Sequence, residues 1–437
     1  MPNRLIDKLK TSDIAKRMAS GAFWSFTGTA LGKFLVLLSG IFCARILGQE
    51  VFGQLGMVRS TIGMFIVLGT SGIGVTATRY ISSYRKTDPS HAASICLLSN
   101  KFAWWAGIVV GVLMLLTSGV LATEALHSSA LTGAVQLGAV MLFVSILNGA
   151  PNGILVGLED FRSVAINTFI GSLCEAVFMV VGAWLYQLEG AILGFGIGVV
   201  ALYVANSLSV NRDLHREHIV TRGESIRRED WRLLFTYSIP ATLSALTVAP
   251  VFFVIRSMLV SQSGYAELGI FEAADQWKVI ILFIPTTISQ IVLPILSSLF
   301  DVRKFKMTLG LNIVLIAVVS TVIALAVSLL SPYIMPLYGQ SFTDLMPLTL
   351  LAVSTIFSAV SNVIEMSIYS RDKMWTCFGL NIVWAVLLIG LSQLFLGQGM
   401  GASALALAVL LSYLLKTIYI GIYMMFLLKK DPQEQAA

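Results

Sequence analysis

The sequence predicts an all-α polytopic membrane protein of about twelve transmembrane helices in two parallel six-helix repeats. Three observations predict it. First, 57% of the 437 residues are hydrophobic and only 12% are charged, with a mean hydropathy of +0.84, whereas a soluble globular chain carries about 25% charged residues. Second, apolar runs long enough to cross the bilayer core recur from Phe23 to Leu428 and leave no stretch long enough for a soluble domain. Third, the chain repeats itself. A shift of 213 residues sets Ser25 on Ser238, Thr29 on Thr242, and Phe52-Gly53-Gln54-Leu55-Gly56-Met57 on Tyr265-Ala266-Glu267-Leu268-Gly269-Ile270, and a shift of 211 sets Gly190-Ala191 on Gly401-Ala402.

At about 20 apolar residues per crossing, the spans fall near 18–43, 51–73, 95–120, 131–156, 164–187, 190–210, 233–260, 266–296, 307–331, 345–369, 375–396 and 401–428. The first follows Arg4, Lys8, Lys10, Lys16 and Arg17. It is too long for a signal-peptide core and lacks a small-residue cleavage pattern, so it reads as an uncleaved span. Gly107-x-x-x-Gly111 in the third span and Gly190, Gly194, Gly196 and Gly198 in the sixth permit close helix packing. Pro240 and Pro250 in the seventh, with Pro285 and Pro294 in the eighth, predict kinks, because proline removes a backbone hydrogen bond.

Of the 29 Lys and Arg residues, 22 lie in the N-terminus and every second connection, against Arg45 alone on the opposite side. By the positive-inside rule both termini are cytoplasmic. The net charge of +6 is therefore mainly a topology signal, and no nucleic-acid partner is expected. The basic connection from Arg212 to Arg232 divides the chain into an N-terminal lobe, 1–212, a connecting loop, 213–231, a C-terminal lobe, 232–428, and a tail, 429–437. His215 and His218 in that loop lack accompanying ligands, and Cys43, Cys96, Cys174 and Cys377 are scattered singly, so neither a metal centre nor a disulfide framework is expected. Gly28-Thr29-Ala30-Leu31-Gly32-Lys33-Phe34 is one residue short of a phosphate-binding loop and has Phe where Ser or Thr should bind Mg²⁺. No cofactor is implied.

Three motif groups narrow the reading. They are Ala44-Arg45-Ile46-Leu47-Gly48-Gln49-Glu50-Val51-Phe52-Gly53, followed by Gly69-Thr70-Ser71-Gly72-Ile73 and Thr78-Arg79-Tyr80-Ile81; Ala266-Glu267-Leu268-Gly269-Ile270-Phe271-Glu272-Ala273 with Leu293-Pro294-Ile295-Leu296-Ser297; and Pro336-Leu337-Tyr338-Gly339-Gln340-Ser341-Phe342. In this order they resemble the polysaccharide transporter family of the multidrug, oligosaccharidyl-lipid and polysaccharide superfamily, which includes Wzx-type lipid-linked oligosaccharide flippases. The resemblance covers about residues 18 to 428. It implies two six-helix lobes forming a V in a bacterial inner membrane. It also implies a substrate of undecaprenyl pyrophosphate bearing an oligosaccharide, an O-antigen, capsule or exopolysaccharide repeat unit, moved from the cytoplasmic to the periplasmic leaflet. Membrane lipids, a polysaccharide polymerase and a chain-length regulator are the partners it suggests.

A charge at mid-bilayer costs roughly 2.5 to 3.5 kcal/mol, so each one is a candidate functional residue. Six basic residues (Lys33, Arg59, Lys101, Arg256, Lys278, Lys416) and four acidic ones (Glu175, Glu272, Asp275, Glu365) fall within spans. Arg59, Lys33, Lys101, Arg256 and Lys278 are candidate substrate-binding residues, because guanidinium and ammonium groups suit a pyrophosphate. Arg256 could equally snorkel to the interface, Lys101 and Lys416 could equally anchor at the cytoplasmic interface, and Asp275 and Lys278, three apart, could pair locally. Glu272, Asp275 and Glu175 are candidates for carrying a coupling proton. On the 213-residue shift, Arg59 occupies the position of Glu272.

Two other functions compete. A cationic-drug exporter of the same superfamily would share the fold but favour an acidic cavity, against the basic excess. A membrane polymerase or glycosyltransferase needs a sizeable outer loop, yet the longest outer connections, Leu121 to Ala130 and Ser331 to Asp344, are about a dozen residues with Glu124, His127 and Asp344 standing singly. No catalytic residue is expected.

Overall fold

The computed structural model describes residues 13–70, 72–221, 223–227, 230, 247–297, 302–371 and 373–434. Every regular element among them is helical: α1 (Asp13–Thr70), α2 (Ile73–Tyr84), α3 (Pro89–Val120), α4 (Thr132–Gly157), α5 (Phe161–Arg216), α6 (Val248–Ser297), α7 (Val302–Ile334), α8 (Met346–Tyr369), α9 (Met374–Leu396) and α10 (Gly401–Glu434), with short turns between. Eight helical segments among the described residues are long and apolar enough to cross a membrane.

Three helices are too long for one crossing. A 50-residue helix such as α6 would measure about 75 Å at 1.5 Å per residue, against a hydrocarbon core of about 30 Å. Each contains a break. Gly48 in α1 has φ 74 and ψ 174, Gly264 in α6 has φ 83 and ψ 177, and α5 breaks at Tyr186 and Gln187. The two glycines share a conformation that a Cβ would strain. The breaks fall where the sequence places connections between the first and second, fifth and sixth, and seventh and eighth spans. Divided there, the helices are consistent with twelve spans; the start of the seventh, with Pro240, lies outside the described residues. Inside α6 only Gly264 leaves helical φ/ψ, and the backbone stays helical at Pro250, Pro285 and Pro294.

Polar helical extensions are the main departure from the expected boundaries. The second span ends at Thr70, but after Gly72 the chain turns back into helix as α2, reaching Tyr84. The third begins at Pro89, six residues before its apolar run, where Asp88 Oδ1 accepts the His91 amide at 3.0 Å. Proline is favoured in a first helical turn and an aspartate just ahead of it caps the end. Similarly, α5 starts at Phe161 because Asp160 caps Ser163 N at 3.1 Å, and it continues to Arg216. Apolar runs mark bilayer depth, and these turns lie beyond it.

The described residues belong to two compact units. Unit 1 draws on 1–39, 62–119 and 132–246, and unit 2 on 40–61, 120–131 and 247–437. The corner around Gly48 therefore packs with the C-terminal residues.

In unit 1, Ala77, Ile81, Ile95, Cys96, Ile154, Leu158 and Leu214 form a core. The arms of α5 meet along Gly190, Gly194 and Gly198, where a Cβ would overlap Gly182 O, Phe178 O and Glu175 Cβ in turn. That four-residue glycine spacing lets the backbones touch. An amide ladder ties α4 to both arms. Asn206 donates to Asn148 at 2.9 Å, and Asn167 donates to Asn206 at 2.9 Å and to Ser209 at 3.0 Å. The connecting loop docks on α3. Buried Asp230 contacts His91 Nε2 at 2.8 Å and accepts from Ser94 Oγ at 2.6 Å, while His91 stacks on Tyr84 with ring centroids 4.1 Å apart.

In unit 2, Phe305, Ile316, Val363, Ile368, Cys377, Ile420 and Met424 form the core among α7, α8, α9 and α10. Leu311, Val318, Val322 and Leu329 on the opposite face of α7 are exposed, as a lipid-facing surface requires.

Candidate functional site

Four span charges of unit 2 converge because α6 folds back at Gly264. Arg256 lies on its first arm and Glu272, Asp275 and Lys278 on its second, the last three spaced so that neighbours share a face. A continuous helix would hold Arg256 about 24 Å from Glu272. Across the break, Arg256 Nε donates to Glu272 Oε1 at 2.5 Å and Nη2 donates to Asp275 Oδ2 at 2.9 Å, while Lys278 Nζ donates to Asp275 Oδ1 at 2.5 Å. Arg256 and Lys278 are each only 7% exposed. Arg256 also lies 5.5 Å from the ring centroids of Phe252 and Phe271, and Lys278 is 4.4 Å from that of Phe252. Two cations and two carboxylates thus neutralise one another in a setting where one left unpaired would be costly.

A second pair lies beyond an aromatic wall. Lys416 of α10 is 3.0 Å from Glu365 of α8 and donates to Asn381 Oδ1 of α9 at 2.7 Å. Its Nζ lies 5.2 Å from the Trp384 ring and 5.8 Å from Tyr413. Trp384, fully buried, stands 6.1 Å from Phe252 and 5.3 Å from Tyr413, centroid to centroid. The aromatics separate the two ionic groups while offering π faces to both sets of cations.

The motif residues explain themselves by contact. Arg45 Nε donates to Leu337 O at 2.5 Å and Gln49 donates to Ser341 O, so the first motif grips the third. Phe52 packs between Tyr338 and Phe342 at 6.2 and 6.3 Å, and Tyr338 Oη donates to Gln276 at 3.1 Å. Glu267 of the second motif accepts the Ala402 amide at 2.7 Å where α10 begins. The repeat-related glycines sit at the crossing of α1 and α6. A Cβ on Gly269 would overlap Gln49 O, and one on Gly56 would overlap Glu272 Cγ. Arg59, half-buried and engaged in contacts of its own, lies one turn after Gly56 on the helix that meets Glu272.

The sequence-derived candidates therefore divide. Arg256, Lys278, Glu272 and Asp275 form one network, with Arg59 in the same unit; half-buried Lys33, exposed Lys101 and half-buried Glu175 belong to unit 1. Glu175 lies at the tight crossing opposite Gly198. The reading of Asp275 with Lys278 as a local pair holds. The partners of Arg256 and Lys416 were not visible as pairs, being 16 and 51 residues apart, although the charges themselves stood out against apolar spans. Asn381 carried no such signal. Among the described residues no group of three or more His, Cys, Asp or Glu side chains is placed to hold a metal ion.

Comparison with known proteins gives this arrangement a context. Residues 18–300 match the family model described as polysaccharide biosynthesis protein. EpsE, an EPS I polysaccharide export inner membrane protein of Ralstonia solanacearum, is 25% identical over 86% of this chain and 87% of its own length. A putative O-antigen transporter of Shigella flexneri is 23% identical over 80% and 84%, and a lipid III flippase of Escherichia coli (strain K12) 22% over 65% and 68%. In fold, the chain is similar to a multidrug resistance MATE family transporter of the MOP superfamily in an inward-facing conformation, with a TM-score of 0.83 at 16% identity over 91% of this chain and 94% of that one.

Proposed function

The chain belongs to the polysaccharide biosynthesis protein family and is a multi-pass membrane transporter, and from that premise we propose that it flips lipid-linked oligosaccharide. The substrate is undecaprenyl pyrophosphate bearing a repeat unit, carried from the cytoplasmic to the periplasmic leaflet of the inner membrane by alternating access. The single observation that carries this reading is the near full-length similarity to a polysaccharide export protein. Both termini are cytoplasmic by the distribution of Lys and Arg. A polymerase and a chain-length regulator would use the flipped unit.

The chain's own residues supply a mechanism. Arg59 holds the pyrophosphate head group, its guanidinium offering two parallel donors, while the prenyl tail stays in lipid. Arg256 and Lys278 are held by carboxylates, so they reach an anion only when Glu272 or Asp275 gives up its charge. Protonation of either acid releases positive charge, and its deprotonation restores the network and favours release of the anion. That exchange couples the proton to the substrate, and Glu175, in the first repeat, is a further candidate for carrying it. The lobes of the cycle are 1–212 and 232–428.

The test is deletion of the gene with complementation. Loss of the protein should accumulate lipid-linked glycan on the cytoplasmic face, and Arg59→Ala should fail to clear it. Export at wild-type levels by Arg59→Ala would remove Arg59 from the mechanism. Normal glycan export without the protein would remove the function.

A further inference from the structure

A pocket in unit 1 lies outside the transport mechanism. It is a cavity of about 240 Å³ between α3, α4 and α5, with Asn100, Trp104, Pro151, Tyr203, Ser207 and Asn211 in its wall. Among the described residues, the side chains of Asn100, Tyr203, Ser207 and Asn211 form no hydrogen bond with another protein group. Pro151 has no N–H to give the carbonyl of Leu147, a lining residue one turn earlier, which adds an acceptor. The described lining is neutral and mixed, with Ala103, Leu147, Pro151 and Val210 beside the amides and the hydroxyl, one indole and one phenol.

Depth and access are set by the helices. Asn100 is six residues along α3 from Ser94, which is bonded to the connecting loop, or about 9 Å at helical rise. Asn211 is five residues before the end of α5. The pocket therefore begins near the level of head groups and ester linkages, the interfacial layer outside the roughly 30 Å core. Tyr203, Ser207 and Asn211 recur every four residues. Val204 and Leu208, one position on, form a parallel apolar ridge that is 46% and 65% exposed. Trp104, Trp105 and Ile108 form the facing exposed ridge on α3. The slot thus opens between two lipid-facing apolar edges, and exposed Lys101 follows Asn100 on α3.

We propose that this pocket binds the phosphoglycerol head group of an anionic glycerophospholipid, with the acyl chains along the exposed faces of α3 and α5 and the phosphate on Lys101. Amide and hydroxyl groups beside an aromatic ring suit a small polyol. No carboxylate among the described lining residues receives an ammonium, and Lys101 repels one, which disfavours ethanolamine and choline head groups. The volume holds one small polyol, far short of an oligosaccharide, so the occupant is a resident phospholipid rather than the glycan. The site assigns Lys101 to that lipid and stands whether or not the protein flips lipid-linked glycan.

Native mass spectrometry of the purified full-length protein with equal amounts of phosphatidylglycerol, phosphatidylethanolamine and phosphatidylcholine tests it. The wild type should retain phosphatidylglycerol at least about 5-fold over the other two, the scale of one or two net hydrogen bonds. Ser207→Phe, which fills the cavity, and Lys101→Gln should each abolish that preference, whereas Val112→Phe on the lipid-facing side of α3 should not. Should Ser207→Phe fail to fold, the double variant Asn100→Ala with Asn211→Ala removes the polar groups without adding volume and should lose the preference too. Equal retention of the three lipids by wild type, or an unchanged preference in the Lys101 and double variants, overturns the proposal. So does selective loss of a co-purifying lipid-linked sugar in those variants, which would assign the pocket to the substrate.

Discussion

Replacing Arg256 with leucine removes the guanidinium that holds both carboxylates of the α6 hairpin. Two charge-assisted hydrogen bonds, at 2.5 and 2.9 Å, are lost. Lys278 remains for Asp275, and Glu272, 15% exposed at its side chain, loses the ion pair it makes with Arg256. Breaking a buried pair from one side costs about 3–5 kcal/mol, because the surviving charge stays desolvated. Removing Glu272 as well leaves Asp275 and Lys278 as a balanced pair, so Arg256→Leu with Glu272→Leu should recover most of the loss. The assay is thermal unfolding of the purified protein in one detergent, with transport measured in parallel. The single variant should melt well below wild type and the double variant close to it, yet the double variant should respond less to a proton gradient, with Asp275 as its remaining carrier. A single variant as stable as wild type, or a double variant no better than the single, would refute the network as the element that organises the hairpin.

Other consequences follow from neighbouring geometry. Lys416→Met strands Glu365 among apolar side chains and should destabilise by about 3–5 kcal/mol, with Glu365→Gln restoring most of it in the same melting assay. Gly269→Val places side-chain carbon on the space that Gln49 O occupies; it should block transport, whereas Gly310→Ala on α7, with no heavy atom within 4 Å of the new Cβ, should leave transport intact. The His91 amide and then Arg227 hold the Asp88 carboxyl below its usual range. Its folded pKa being depressed, the stabilisation is present above the unfolded value of about 4 and fades as pH falls through the lower folded value. Hydrogen exchange at the start of α3 should therefore be faster in Asp88→Asn than in wild type at about pH 7, well above both values, with the difference vanishing in strong acid.

Much of the fold was legible because membrane spans are written in length and apolarity, and the breaks at Gly48 and Gly264 fall at a residue type that permits them. The break in α5 differs, since Gln187, at φ 49, gave no such signal. What escaped were helical turns lying outside the bilayer, such as α2 and the start of α3 at Pro89, where polar composition looks like a loop. The docking of Asp230 on His91 and Ser94 escaped for a related reason, since contacts 139 and 136 residues apart leave no periodicity. At the candidate site the charges were conspicuous against apolar spans, and Asp275 with Lys278 could be paired from helical spacing alone. Arg256 with Glu272 needed the reversal at Gly264, and Lys416 with Glu365 needed the packing of α8 against α10. The asparagine ladder was hidden because neutral amides are ordinary in any helix until their neighbours are known.

Reconstitution into vesicles with fluorescent undecaprenyl-pyrophosphate glycan in one leaflet measures the central claim directly. Wild-type protein should move the lipid to the opposite leaflet at a rate raised by an imposed proton gradient, and Arg59→Ala should not. Movement no faster than in protein-free vesicles, whatever gradient is imposed, would contradict the account.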